Sequence, residues 1–407
     1  MPCSSLGILL GADSLLKPRS GIGRMTYEIA RAMQHHPEIA DYALMIQHGM
    51  RPREWLSGLD GSAPGVPTTV TPGARLVGIA RHLLGHHVPG VSSILQVQRS
   101  RTLRRELRGF RAHLEDIKSL PLVYHEPNMI LSPFDGPSVA TLNDLSWHHD
   151  PTLHPFERIR WIERHLPRTL SRASRFIAIS EFTRTEAVRV LGVARDRVDV
   201  VHLAAAEHFR PMTDAQAAPT LGSLGLSDKS YVLSVSTLEP RKNFDRLLAA
   251  YLKLPDVLRR LMPLVIVGGK GWGKVLERPD ATRAIAAGQL RMLGHVTDEI
   301  LVALTARCAA FAYVSLYEGF GLPVVEAMAA GAPVLASATT ATGETAGDSA
   351  LLVDPMDVDA IRNGLHQMLT EPDYRAALAE ASLRRAAQFS WSRTVGGMAQ
   401  TWRQVAS

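Results

Sequence analysis

Cysteine is nearly absent: Cys3 and Cys308 are the only two in 407 residues. One stands at the start of the chain and the other opens an apolar run ending at Val314. A disulfide framework is therefore excluded, a reducing compartment fits, and Cys308 reads as a small buried apolar residue. Long apolar runs are missing too. None reaches the roughly 20 residues that cross a bilayer. Leu6–Leu10, with no basic residues before it, is too short for a signal sequence and suits a core strand. Zinc-ligand spacing is absent. Asp357-Val358-Asp359 resembles a metal-binding Asp-x-Asp only superficially, because it stands at a helix start, where aspartates cap; no metal is expected. Aromatic residues make up 6% and do not interleave with the basic ones, which argues against a nucleic-acid surface.

What is present suits a soluble globular enzyme: 46% hydrophobic residues, 21% charged residues and a net charge of +6. At roughly 100–200 residues per domain, the length implies at least two domains. Strand-like and helix-like segments alternate from Leu6–Gly11 to Val198–Val201. They resume at Tyr231–Ser236 and run to a helical stretch at Trp391–Val405. Between the two series, Thr213–Lys229 is small, polar and without aromatics, and reads as a linker. The expected organisation is a first domain over residues 1–212, a linker over 213–229 and a second domain over 230–389, with the helix from about 390 to 407 packing back on the first. Two such alternations imply an α/β architecture of two Rossmann-like, doubly wound parallel sheets facing a cleft. Ligands of such sheets bind at the carboxyl ends of the strands.

The most informative segment is Glu318-Gly319-Phe320-Gly321-Leu322-Pro323-Val324-Val325-Glu326, which follows a strand and opens a helix. Its glycines let a ligand approach the backbone. The amides near Phe320, Gly321 and Leu322 lie at a helix start that favours phosphate or sugar hydroxyls, and Pro323 fits a first turn. Glu318 and Glu326 are spaced to face one ligand, the first on a sugar and the second on a ribose diol. In Leu238-Glu239-Pro240-Arg241-Lys242-Asn243 two cations stand between a strand end and a helix start, suited to the charge of a departing diphosphate.

In its setting, the Glu318-to-Glu326 block resembles the signature of glycosyltransferase family 4, of GT-B fold. Ser20-Gly21-Ile22-Gly23-Arg24 resembles the family's first glycine loop, and Ile179-Ser180-Glu181-Phe182-Thr183 its polar turn. Leu238–Asn243 resembles its phosphate clamp and Val267–Trp272 its second glycine loop. Gly294-His295-Val296 and Glu344-x-x-Gly347-Asp348 also fit. The resemblance implies a retaining hexosyltransferase that uses a nucleoside-diphosphate sugar and no cofactor. Arg241, Lys242, Glu318 and Asp144 would be its catalytic residues. Gly21, Gly23, Arg24, Phe320, Gly321, Leu322, Glu326 and Glu344 would bind the donor, Glu344 from a loop over Thr339–Gly343.

There are departures. Many members place the clamp arginine about five residues before the lysine, where this chain has Thr237. Where members often carry His-Asp, this chain has Asn143-Asp144, and an Asn cannot titrate; His148, His149 and His154 stand nearby. Asp144 reads equally as a turn or cap residue. The clamp resembles that of bacterial mannosyltransferases that build surface polysaccharides. GDP-mannose is the expected donor and a glycan or lipid-linked hydroxyl the acceptor, with GDP-rhamnose, GDP-fucose, UDP-sugars and dTDP-rhamnose as alternatives. Arg99–Leu114 combines Leu103, Leu107, Phe110 and Leu114 at helical spacing with many arginines, which suits an anionic membrane surface on the cytoplasmic side. A non-catalytic nucleotide-binding module is the rival from another class. A dinucleotide-dependent oxidoreductase is disfavoured because no G-x-G-x-x-G directly follows the first strand.

Overall fold

The computed structural model describes residues 6–16, 21–46, 49–59 and 121–406. Cys3, the Arg-rich Arg99–Leu114 segment and most of the Arg51–Gly73 stretch, whose glycines and prolines read as a loop, lie outside the described residues. The chain divides into two compact units, one holding residues up to Thr141, Leu166–Phe176 and Met398 onward, the other Leu142–His165 and Ile177–Gly397. Described helices are α1 (Gly21–Met33), α2 (Ser146–His149), α3 (Phe156–Arg172), α4 (Glu181–Leu191), α5 (Asp214–Ser223), α6 (Phe244–Leu252) and α7 (Asp256–Leu261). They continue with α8 (Pro279–Ala286), α9 (Asp298–Ala306), α10 (Leu322–Ala329), α11 (Thr340–Ala346), α12 (Val358–Thr370), α13 (Pro372–Ala386) and α14 (Trp391–Ala406).

The first sheet contains β1 (Leu6–Gly11), β2 (Ile39–Ile46), β3 (Gly49–Pro52), β4 (Leu122–Glu126), β5 (Ser138–Leu142), β6 (Arg175–Ala178) and β7 (Val198–Val200), in the order β3-β2-β1-β4-β5-β6-β7. β1 is buried at every residue and pairs in parallel with β2 and β4. Strand β4 was not expected. Its His125 and Glu126 break the apolar pattern, yet His125 is fully buried, with Nε2 2.8 Å from Thr141 Oγ1 and its ring against Trp402. β3, antiparallel to β2, likewise occupies the start of the stretch read as a loop.

The second sheet contains β8 (Val232–Val235), β9 (Leu264–Val267), β10 (Leu290–Gly294), β11 (Ala310–Tyr313), β12 (Val334–Ser337) and β13 (Leu351–Val353). Every pair is parallel, in the order β10-β9-β8-β11-β12-β13. Successive side chains leave opposite faces. Leu264 and Ile266 join Phe244, Leu247, Ile361 and Leu365 in one core. Val265 and Val267 join Leu301, Leu304, Val324 and Met328 in another. Burial on both faces explains why these strands read as continuous apolar runs rather than alternating ones.

Two local readings are corrected. Thr213–Lys229 contains helix α5: Thr213 and Gln216 form a reciprocal capping box, and Ala217 and Leu221 join the second core. Thr339–Gly343 is mostly the start of helix α11, whose Ala341, Thr342, Thr345 and Ala346 are buried.

The order reverses between β8 and β11, a switch point where ligands bind beyond the strand ends. Asn243 ties the loops there together. It is buried with φ at +61°, and its Nδ2 donates to Val314 O at 2.9 Å and Pro355 O at 2.7 Å. Gly268 lets the loop after β9 lie on the loop after β8, since a Cβ at that position would come within 1.9 Å of Ser236 O. Asn243→Gly is expected to destabilise by about 2 kcal/mol because two carbonyls lose their donor. Asn243→Ala should cost about 1 kcal/mol more, because it adds left-handed strain. Urea denaturation of both variants checks this; equal losses would show that the backbone conformation contributes nothing.

Candidate functional site

The loop after β8 and the loop after β11 bring three charges together. Pro240–Lys242 forms a short 3-10 turn. From it Lys242 Nζ reaches Glu318 Oε1 at 2.7 Å, and Arg241 Nη1 reaches Glu318 Oε2 at 3.1 Å. Tyr313, the last residue of β11, donates its hydroxyl to Glu318 Oε1 at 2.9 Å and accepts from Lys242 Nζ at 2.8 Å. Arg241 also donates to Tyr317 O at 2.8 Å and lies 3.4 Å from Glu239 Oε2. Its buried Nε has no acceptor.

These groups are nearly out of water: the side chains of Arg241, Lys242 and Glu318 are 11%, 12% and 10% exposed. Burial alone would raise the Glu318 carboxyl. Lys242 and Arg241 overcome that and hold it down at about 2. Burial, together with Arg241, pulls Lys242 below its ordinary value against the opposing effect of Glu318. For Arg241 burial acts downward, but Glu318, Asp144 and Glu239 keep the guanidinium above its ordinary value.

The rest of the Glu318 block is pinned by backbone contacts. Thr340 Oγ1 accepts from the Glu318 amide at 3.2 Å, and Gly319 O accepts from Ser180 Oγ at 2.7 Å and Thr183 Oγ1 at 3.0 Å. At Gly319 a Cβ would lie 1.6 Å from Asn143 O, so no other residue fits. Thr345 Oγ1 donates to Phe320 O at 2.6 Å. Gly321, with φ at +89°, leads into α10. Leu322 begins that helix, and the positive end of the helix dipole lies there. Glu326 is buried one turn further along.

The other expected residues lie as follows. Asp144 accepts from Ser146 Oγ at 2.6 Å and from the Ser146 amide at 3.1 Å, the turn arrangement, while Arg241 acts on it electrostatically. Glu344 projects from α11 to the start of α4, accepting from the Glu181 and Phe182 amides at 2.9 Å each, with His202 Nε2 at 3.1 Å. Its carboxylate thus caps a helix, and no contact joins it to Arg241, Lys242 or Glu318 among the described residues. Gly21, Gly23 and Arg24 form the first turn of α1 in the other unit. Asp357 caps α12 through the Asp359 and Ala360 amides.

Residues 222–385 match the family described as glycosyl transferases group 1, and residues 64–205 match glycosyltransferase family 4. O-antigen chain mannosyltransferase B of Escherichia coli is 32% identical over 384 residues, 94% of this chain and 96% of that one. The chain belongs to the group 1 glycosyltransferases. Among solved structures, WaaG, a glycosyltransferase involved in lipopolysaccharide biosynthesis, superposes with a TM-score of 0.65 at 15% identity, covering 98% of this chain and 99% of that one. HepE of Anabaena, in complex with UDP and glucose, gives 0.64 at 17%, covering 98% and 100%. The fold of this glycosyltransferase is GT-B, two Rossmann-like α/β units.

Tyr313 and Glu239 are the site residues that sequence reasoning passed over. A tyrosine closing an apolar strand five residues before Glu318 was the available signal, masked because aromatic residues end buried strands for packing alone. The Glu318 shift has a pH consequence. A depressed carboxyl pKa stabilises the fold above its unfolded value and loses that stability as pH falls through the folded value. Between an ordinary value of 4.5 and about 2, the wild type should lose about 3 kcal/mol that Glu318→Gln does not lose. Urea midpoints across that range check this; parallel pH profiles for the two proteins would contradict the buried ion cluster.

Proposed function

We propose that this glycosyltransferase moves mannose from GDP-mannose, with retention at the anomeric carbon, to a hydroxyl of a glycan or lipid-linked acceptor in surface-polysaccharide assembly. The observation that carries the transferase chemistry is the convergence of Arg241 and Lys242 on Glu318 at the switch point. As the bond from the anomeric carbon to the phosphate oxygen breaks, negative charge grows on the diphosphate. Arg241 and Lys242 stabilise that charge more than the ground state, and the amides at the start of α10 add to them. The leaving phosphate oxygen takes the proton of the attacking hydroxyl on the same face of the sugar. Glu318 and Glu326 orient the donor and Asp144 supports Arg241. Gly21, Gly23 and Arg24 are assigned to donor binding through the family resemblance, and Glu344 only through the helix it caps. The mannosyl assignment rests on the relationship to the E. coli O-antigen enzyme.

Incubation with GDP-mannose, GDP-rhamnose, GDP-fucose, UDP-glucose and dTDP-rhamnose tests the donor, with preferential nucleotide release from GDP-mannose expected. Lys242→Ala should lower turnover by about 10²–10³, the scale of one lost transition-state contact, while circular dichroism stays native. A folded variant with wild-type turnover would overturn the role of Lys242. The two cations supply the charge that a divalent ion supplies elsewhere, so a chelator should leave turnover unchanged; a loss restored by magnesium or manganese would show a metal requirement.

No helix among the described residues is long and apolar enough to cross a membrane. Peripheral attachment to an anionic membrane on the cytoplasmic side is the proposed setting. The Arg99–Leu114 pattern supports it, as do Phe156 and Trp161, 64% and 50% exposed beside Arg160 on α3. Flotation with anionic but not with neutral vesicles is expected; equal recovery with both would exclude charge-driven attachment.

A further inference from the structure

Tyr313 closes β11 and is buried. Packing alone does not call for its hydroxyl. The ring lies 6.3 Å from that of Phe311 on the same strand, and a second phenylalanine would fill the space as well. A hydroxyl taken into a core is costly unless its hydrogen-bonding capacity is used. Here it is used on both sides. The Glu318 carboxylate only accepts, so the Tyr313 hydrogen points to Oε1 at 2.9 Å, and its oxygen faces Lys242 Nζ at 2.8 Å. Burial and Glu318 hold the phenol well above its ordinary value, so it stays protonated and the direction of both bonds is fixed.

The two cations of the site are held in different ways. Arg241 is a planar fork, and its contacts with Tyr317 O, Glu318 and Glu239 fix that plane. Lys242 is a point charge on a flexible four-carbon stem, with three N–H bonds in a tetrahedral array. One acceptor would leave the ammonium free to swing around it. Among the described residues Nζ meets two, Glu318 Oε1 at 2.7 Å and the Tyr313 hydroxyl. Two acceptors pin both the nitrogen and its rotation, so the third N–H has a single direction. Glu318 stands in a loop and, in the transferase reading, also serves the sugar. Tyr313 belongs to the strand itself and has no second duty.

Resting on the transferase reading, we propose that Tyr313 is a positioning residue whose hydroxyl aims the third N–H of Lys242 at the departing diphosphate. That contact strengthens as charge develops, so its loss falls on kcat rather than on donor binding. Tyr313→Phe keeps the ring, 5.3 Å from Nζ, and removes only the hydroxyl. With the sugar nucleotide turned over in the donor panel, it should lower kcat about tenfold, less than the loss of about 10²–10³ expected for Lys242→Ala. Donor KM should stay within about twofold and the circular dichroism spectrum native. In the Lys242→Ala background the same change should cost less than about twofold, because it acts through Lys242. A wild-type kcat in Tyr313→Phe, a rise in KM at constant kcat, or a full loss in both backgrounds each overturns the proposal. Placing 3-fluorotyrosine at position 313 keeps the volume and the hydroxyl but makes its oxygen a poorer acceptor, which covers a failure of Tyr313→Phe to fold. It should lower kcat at unchanged donor KM, and an unchanged kcat overturns the proposal equally. A wild type that releases nucleotide from no donor overturns the transferase reading itself, and the role of Tyr313 with it.

Discussion

A carboxylate held between two cations, out of water, is the constraint around which the second sheet's loops are arranged. Taking Arg241, Lys242 and Glu318 from solvent costs several kcal/mol per ion, and their attraction offsets this only if the geometry holds. An apolar cluster of similar volume would commonly be as stable. The charges therefore make sense as chemistry rather than as a source of stability. Losing Glu318 would leave two buried cations without the carboxylate they share, whereas losing one cation leaves the other still paired with it.

The surrounding backbone keeps that geometry fixed. Leu316 donates its amide to Arg241 O at 2.9 Å, and Arg241 Nη1 returns a bond to Tyr317 O at 2.8 Å, so the two loops are stitched in both directions. Thr340 adopts φ at +60° while its Oγ1 accepts from the Glu318 amide. A threonine there carries local strain that the neighbouring contacts must sustain. A rigid charged site does not need to reorganise when charge moves during a reaction, which is where preorganised electrostatics gains its advantage over water.

Much of this was legible in the sequence because the switch point lies at strand ends, and strand-to-helix junctions have short, distinctive chemistry. The apolar run to Tyr313, the glycines at 319 and 321 and the proline at 323 can be read as strand, turn and helix start before any coordinates exist. Lys242 and Glu318 are 76 residues apart, and only the parallel order of β8 and β11 brings them together, an order that alternation suggests but does not specify. Other features were hidden by composition. The capping box of Thr213 and Gln216 was present, but small residues and Pro219 made the segment look like a linker. Strand β4 was obscured by His125 and Glu126, polar residues of which the first finds its partner in β5 and the second bonds to Tyr124 and Asn128 of its own segment. Glu344 enters the donor set through the family resemblance, and its cap on the Glu181 and Phe182 amides, 163 and 162 residues away, has no local signal in the sequence.

The site also divides by element. The groups suited to a diphosphate come from the second sheet: Arg241 and Lys242 after β8, and the start of α10 after β11. The segment after β5 carries different groups: Asp144 turns on Ser146, and His154 is buried with its nitrogens unpaired. A diphosphate asks only for fixed positive charge, so the same loops can serve many sugar nucleotides. Hydroxyls differ between sugars in direction rather than in chemistry. Telling them apart requires buried groups that lose a hydrogen bond when the wrong sugar enters, and such losses discriminate far more strongly than extra apolar contact. On this division the shared fold accounts for the cationic loops at the switch point and leaves the choice of sugar to individual side chains. That is why a shared architecture at 15–17% identity says little about the donor, and why the donor must be read from side chains rather than from the sheet.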